Sequence, residues 1–334
     1  MKVLLTSASS RVKAGVETYN DHLRKVFRDL KIIDFDSVNG FTSPLLREPL
    51  KAKHVDEYLI KKANYYKPDI IFTNGMYGWA LKSLNIPVVN IQHGGYHPFA
   101  EAAMKISLDY FRTKYIYSYF EKLSAKKSDI VVSNSPFTRN NIKKYYGLDT
   151  VVILNCIDMD IMRPISKERA KSLLNLPQDK KIVLFVGRPD YSKGYDIVEK
   201  IAQINENILF LCILYPKIKS KRKNIITIQA VTRKNLYKYY SAADILLYPS
   251  RFDGFGYVPL EALACNTPVI ANKVGILATE NIEGCDIVKN NNDINEFSSL
   301  LKKDYNRINS RKLIKKKFSF ARFGKEYKNL VESL

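Results

Sequence analysis

The sequence predicts an α/β protein built from two doubly wound domains, and three observations carry that reading. Short β-rich apolar runs alternate with longer helical stretches along nearly the whole chain, the pattern of parallel strands joined by crossover helices. The alternation lapses once, at Asp158-Met-Asp-Ile-Met-Arg-Pro164, where a proline ends the run, and then restarts. At 334 residues, each half is long enough to bury a core of its own.

The first half offers strands at Val3-Leu5, Lys31-Phe35, Ile70-Thr73, Val88-Ile91, Ile130-Ser133 and Val151-Leu154. Helical stretches lie between them, among them Gly15 to Leu30 and Glu101 to Ser124. The second half repeats the scheme with Ile182-Val186, Ile208-Leu214, Ile225-Ile228, Ile245-Tyr248, Val269-Ala271 and Asp286-Val288. The boundary is expected at 162/163. Doubly wound sheets bind ligands at the carboxyl ends of their strands, so the site is expected in a cleft between the two domains.

Composition narrows the class. At 46% hydrophobic and 26% charged, the chain is ordinary for a folded protein, which argues against wholesale disorder. The longest apolar run, Ile208 to Tyr215, falls far short of the ~18 residues a membrane-spanning helix needs. Met1-Lys2 leads straight into Val-Leu-Leu-Thr, too short for a signal-peptide core, so a cytoplasmic chain is expected. Cys156, Cys212, Cys265 and Cys285 are scattered, with no C-x-x-C pair, which suits a reducing compartment without disulfides or structural zinc. The net charge of +21 suits an anionic partner: a nucleotide, an anionic membrane surface or nucleic acid.

Two stretches carry chemistry. In the first, the strand ending at Tyr248 runs through Pro-Ser-Arg-Phe-Asp253-Gly-Phe-Gly-Tyr-Val-Pro-Leu-Glu261. The Gly254-Phe255-Gly256 turn leaves backbone N–H groups at a helix N-terminus, where a diphosphate is favoured. Asp253 and Glu261 flank it; a carboxylate there would repel phosphate, so hydroxyl groups of a sugar or ribose suit it better. Read alone, the stretch is equally a tight strand-to-helix turn with two capping acids. In the second, Phe185-Val-Gly187-Arg188 ends a strand, and Lys193-Gly194 closes the loop that follows. Two cations so placed can grip one diphosphate and neutralise a departing leaving group. Alone, they are also consistent with a solvated loop.

Taken together the two stretches resemble the retaining GT-B glycosyltransferases of group 1, whose mark is E-x7-E. The resemblance runs nearly end to end. Ala14-Gly15-Val16-Glu17 looks like the family's Gly-Gly-Val-Glu loop, and Ser133-Asn-Ser135 like its V-S-x-x-S strand end. Leu154-Asn155-Cys-Ile-Asp158 is similar to the N-G-V-D before the linker. Phe318-Ser-Phe320 resembles the F-S-W that opens a last helix, which in this family returns to the N-terminal domain. The implied organisation is an acceptor domain of residues 1–162 with helix 318–334, and a donor domain of residues 163–317. Four departures stand out: Asp253 replaces the first Glu of the motif, Ala14 the second loop Gly, Cys156 the Gly of N-G-V-D, and a basic loop from Tyr215 to Lys223 the usual Gly-x-Gly-Pro.

The resemblance implies roles. Arg188 and Lys193 would bind the donor diphosphate, Glu261 the ribose, and Asp253 the transferred sugar. Gly15 and the backbone of Gly254, Phe255, Gly256, Tyr257 and Val258 would contact the donor, and His93, in Ile91-Gln-His-Gly-Gly95, the reacting sugar. The co-substrate would be a UDP- or GDP-linked sugar, transferred with retention to a glycan, lipid or protein, with no metal or other cofactor required. Asp34-Phe-Asp36 and Asp158-Met-Asp160 resemble the metal triplet of the other glycosyltransferase fold, but such triplets are common by chance and the second matches the linker.

Between Asp109 and Lys127, six aromatics interleave with Arg112, Lys114, Lys122, Lys126 and Lys127, which suits peripheral contact with an anionic membrane face. The plainer reading is a helix with buried aromatics and solvated lysines. Two other classes compete with the enzyme: a nucleic-acid-directed protein, for which no RNP, zinc-finger or helix-turn-helix pattern is present, and a non-catalytic nucleotide-sugar-binding homologue, hinted at by Asp253.

Overall fold

A computed structural model describes residues 1–7, 15–34, 47–229, 231–305 and 309–334. The chain packs as two compact units, Met1–Cys156 with Phe320–Leu334, and Ile157–Ser319. Both are α/β, and each holds a six-stranded parallel sheet.

Unit 1 orders its sheet β2-β1-β3-β4-β5-β6, from β1 (Lys2–Ser7), β2 (Asp29–Asp34), β3 (Ile70–Asn74), β4 (Val88–Gln92), β5 (Ile130–Ser133) and β6 (Val151–Val152). Strands β3 and β4 are buried at every residue, as expected of parallel strands covered on both faces. Helix α1 (Gly15–Val26) and helix α13 (Phe320–Glu332) cover one face. Tyr19 and Leu23 sit four apart on α1, and Phe323, Tyr327 and Leu330 share a stripe of α13, so both helices bury an apolar face. Tyr19 and Tyr327 are fully buried and their hydroxyls hydrogen-bond, so neither polar tip is left dry. The C-terminal helix therefore belongs to unit 1.

Unit 2 orders its sheet β12-β11-β10-β7-β8-β9, from β7 (Ile182–Gly187), β8 (Leu209–Leu214), β9 (Ile225–Gln229), β10 (Ile245–Tyr248), β11 (Val269–Ala271) and β12 (Cys285–Ile287). All six residues of β8 are buried, and Phe210, Cys212 and Leu214 join Phe185, Ile197, Val198 and Phe297 in one core. Sequence order runs outward from β7 one way and from β10 the other. The switch point lies between these two strands, and open α/β sheets bind ligands outside their carboxyl ends at such a point.

The units divide at 156/157 and 319/320 rather than at the expected 162/163 and 317/318. Residues 157–162 are tied into unit 2. Ile157 N–H donates to the Phe318 carbonyl at 2.9 Å, and Arg311 donates to the carbonyls of Met159 and Met162. Helix boundaries moved more. Helix α1 ends at Val26, because Leu30 pairs with Val3 inside β2. The stretch expected as one helix over 101–124 is several pieces: α3 (Tyr96–Ala103), α4 (Leu108–Phe111), a π-helical segment Arg112–Tyr117 and α5 (Ser118–Lys127). Met104 turns extended, and Ser107 caps the restart by accepting from Tyr110 N–H.

Candidate functional site

At the switch point of unit 2, the loops after β7 and β10 carry the residues the motifs singled out. The β7 loop turns through a 3₁₀ segment, Tyr191–Lys193, whose N-cap Asp190 accepts from Lys193 N–H at 3.1 Å. Gly194 follows in the left-handed region with φ 73°, and a Cβ there would lie 2.1 Å from the Pro249 carbonyl oxygen. The loop can therefore approach the end of β10 only with glycine at this position. Arg251 fastens it from the other side. Its guanidinium makes a two-pronged pair with Asp196 at 2.7 and 2.8 Å and lies 3.6 Å from the centre of the Tyr191 ring, while the Arg251 backbone N–H donates to the Ser192 carbonyl.

Lys193 Nζ lies 2.8 Å from Asp253 Oδ2, and the same oxygen accepts from the Tyr248 hydroxyl at 2.6 Å. Burial raises the Asp253 pKa, but Lys193 and the hydrogen bonds outweigh it and leave the carboxyl below its usual range. Arg188 is the most open member. Its Nε pairs with Asp190 at 2.8 Å, and more than half of its side chain faces solvent. Two cations thus lie on one loop, each paired with a carboxylate, Lys193 mostly covered and Arg188 more than half exposed.

Gly254, Phe255 and Gly256 are buried, and Gly256, at φ 93°, caps α10 (Tyr257–Ala264) in a conformation that favours glycine. Glu261 sits on the second turn of α10 and is almost fully buried. Arg233, on α9 (Arg233–Ala242), donates to its Oε1 at 2.9 Å, and the Tyr240 hydroxyl to its Oε2 at 3.0 Å. Burial lowers the Arg233 pKa, but Glu261 prevails and raises it above its ordinary value. A carboxylate has about four acceptor positions, so two partners leave room for a ligand hydroxyl.

Gly15 and His93 belong to unit 1. Gly15, Val16 and Glu17 open α1 as its first helical residues, and Ala14 lies outside the described residues. His93 follows β4, and its Nε2 is 2.8 Å from Asn74 Oδ1. The Asn74 amide nitrogen donates to the Thr6 carbonyl and to Asn20 Oδ1, so its oxygen is the end turned to His93. Nε2 therefore carries the proton and Nδ1 is an acceptor. Burial lowers the His93 pKa to about 4, which keeps the ring neutral at pH 7. The Tyr19 ring meets it edge-on at 5.1 Å.

Asp158 accepts from the N–H groups of Asp160 and Ile161, both at 3.2 Å, so this triplet caps its own turn. The triplet at Asp34 runs outside the described residues. Sequence reasoning gave no role to Arg233, Tyr240, Tyr248 or Arg251. Arg251 lies inside the quoted motif, but Arg233 is 28 residues from its partner and no spacing marks it.

Residues 166–317 match the family model for glycosyl transferases group 1, and residues 14–161 that for glycosyltransferase family 4. A D-inositol 3-phosphate glycosyltransferase 2 of Catenulispora acidiphila is 27% identical over 272 residues, covering 73% of this chain and 61% of that protein. Two further curated relatives, a 41.2 kDa protein of a Klebsiella pneumoniae cps region and a D-inositol 3-phosphate glycosyltransferase of Streptosporangium roseum, are covered over about half their length, 48% and 44%. Among solved structures, a sucrose-phosphate synthase from Thermosynechococcus elongatus superposes with TM-score 0.83 at 19% identity, over 99% of this chain and 98% of that one. HepE of Anabaena, in complex with UDP and glucose, superposes with TM-score 0.77 at 16% identity over the whole of both chains. One family model falls on each half of the chain and the fold is shared along its full length; the chain belongs to the group 1 glycosyltransferases and has their two-domain GT-B fold.

Proposed function

We propose that the chain transfers a hexose from a UDP- or GDP-linked donor to a glycan, lipid or protein acceptor, with retention and without a required metal. The observation that carries the reading is the grouping of Arg188, Lys193 and Asp253 with the Gly254–Gly256 turn at the switch point of unit 2. Cleavage of the anomeric C–O bond builds positive charge on the sugar and negative charge on the departing diphosphate. Arg188, Lys193 and the N-terminus of α10 oppose the second charge. Asp253 both aims Lys193 and offers an acceptor to a sugar hydroxyl, Glu261 takes the ribose, and neutral His93 is assigned to the transferred sugar. No side chain is assigned as a covalent nucleophile, and the reaction is assigned to front-face substitution. A UDP-linked donor is supported by the ligands of HepE, which was solved with UDP and glucose and with UDP-glucose.

The test is release of nucleoside diphosphate from a panel of UDP- and GDP-sugars, followed by NMR assignment of the product's anomeric configuration. Expected are turnover with at least one donor, a retained configuration, activity that survives EDTA, and a loss of ~10²-fold or more in Lys193→Ala. An inverted product, or activity abolished by EDTA and restored by manganese, contradicts the corresponding part of the proposal. Unchanged turnover in Lys193→Ala contradicts the site.

A further inference from the structure

We propose that Tyr248 is a positioning residue for Asp253, whose hydroxyl takes up the room left by the shorter acid and fixes the depth at which that acid meets the transferred sugar. This holds on the proposed reading of Asp253 as a contact of that sugar. Tyr248 is the last residue of β10, a strand paired with β7 on one side and β11 on the other. Its carbonyl accepts from Asn272 N–H at 3.0 Å, and its side chain is almost fully buried, so the ring is held where the strand puts it. The hydroxyl reaches the glycine turn, where a Cβ on Gly256 would lie 3.7 Å from it.

Two donors converge on a single oxygen. Asp253 Oδ2 accepts from the Tyr248 hydroxyl at 2.6 Å and from Lys193 Nζ at 2.8 Å. The shorter contact has the length of a hydroxyl donating to an ionised carboxylate. A rotation of the Asp253 side chain would break both bonds, so the pair locks it in one orientation. Burial, with the Asp253 charge adding to it, raises the Tyr248 pKa well above its ordinary value, so the phenol keeps its proton and stays a donor. A phenylalanine would fill the same volume, so packing alone does not call for the hydroxyl. A glutamate at 253 would carry its carboxylate about 1.5 Å further, the length of one carbon–carbon bond, onto the oxygen of a phenol that the sheet holds still. A tyrosine at 248 and an acid of aspartate length at 253 therefore fit each other.

The experiment measures kcat and donor KM for the full chain and for Tyr248→Phe, Asp253→Glu and the double variant, with a donor sugar that the unaltered chain turns over. The affinity of each for UDP or GDP, whichever that donor carries, is measured by calorimetry, and circular dichroism checks the folds. In Tyr248→Phe kcat should fall about tenfold. Its nucleotide affinity should stay within about twofold, because the lost contact concerns the sugar alone. Asp253→Glu should lose about a hundredfold, and adding Tyr248→Phe to it should restore about tenfold, since the phenyl ring leaves room for the longer acid. Losses that multiply in the double variant, as for two independent sites, overturn the proposal. So does an unchanged kcat in Tyr248→Phe, or a nucleotide affinity that falls as far as kcat. Asp253→Ala tells the two levels apart. Full turnover there, or no turnover of any donor by the unaltered chain, contradicts the proposed function and the role of Tyr248 with it. A loss in Asp253→Ala beside an unaffected Tyr248→Phe contradicts the role of Tyr248 alone.

Discussion

Glu121 is a carboxyl group with no cationic partner among the described residues. It is buried beneath the loop that follows His93, where it accepts from Tyr96 N–H at 2.7 Å and from the Tyr146 hydroxyl. Burial dominates these hydrogen bonds and raises its pKa from 4.5 to about 7. A carboxyl whose pKa is raised by folding holds its proton more tightly in the native state. Its penalty is absent below about pH 4.5, grows as pH rises through 7, and then levels off at on the order of 3 kcal/mol. Glu121→Gln should therefore melt near the wild-type temperature at pH 4.5 and above it at pH 8. A difference in Tm that does not grow with pH would show that Glu121 is ionised in the fold. His93 acts in the other window, since its lowered pKa withdraws stability as pH falls from 6.5 towards 4.

At the scale of elements, the β7 loop shows how sequence and packing divide the work. The placing of Arg188, Lys193 and the two glycines on a loop after a strand was legible. The stretch alone also suits a solvated loop, and only its match in order and spacing to the family's motifs pointed to a donor site. The clamp by Arg251 was not legible, since Asp196 and Tyr191 are 55 and 60 residues away and only the fold brings them to it. Arg251→Ala should leave the sheet folded yet lower turnover by about 10²-fold, because the backbone that aims Lys193 loses its fastening. Arg251→Lys, which keeps the charge but not the fork, should recover only part. Full activity in the alanine variant, measured at saturating donor, would show that the loop holds itself. The helix expected over 101–124 failed for a related reason. Its apolar spacing is continuous, but Ser107 offers a cap and the chain breaks at Met104 to use it.

For the whole molecule, the sheets were the most legible feature. Every predicted strand overlaps an observed one, although Phe35 lies outside the described residues, and the central strands, buried on both faces, read most plainly as apolar β-branched runs. The strand order was not written there, and it is the order that sets the switch point between β7 and β10. The partners of Glu261 and Asp253 were hidden as well. Arg233 and Tyr240 are ordinary residues in sequence and meet Glu261 only once α9 packs beside α10, and Tyr248, five residues before Asp253, reaches it only through the turn of the loop after β10. Among the described residues, no helix is long and apolar enough to cross a membrane. The central claim is that the end of unit 2's sheet holds a nucleotide-diphosphate sugar through Arg188 and Lys193. Thermal unfolding against a panel of UDP- and GDP-sugars tests it most directly, because a ligand that binds only the folded state raises Tm by mass action. At a hundred times the dissociation constant the gain is about 2.7 kcal/mol, a shift of several degrees. The expected result is a concentration-dependent rise with at least one donor that disappears in Arg188→Ala/Lys193→Ala. No shift with any donor, or the same shift in the double variant, would contradict it.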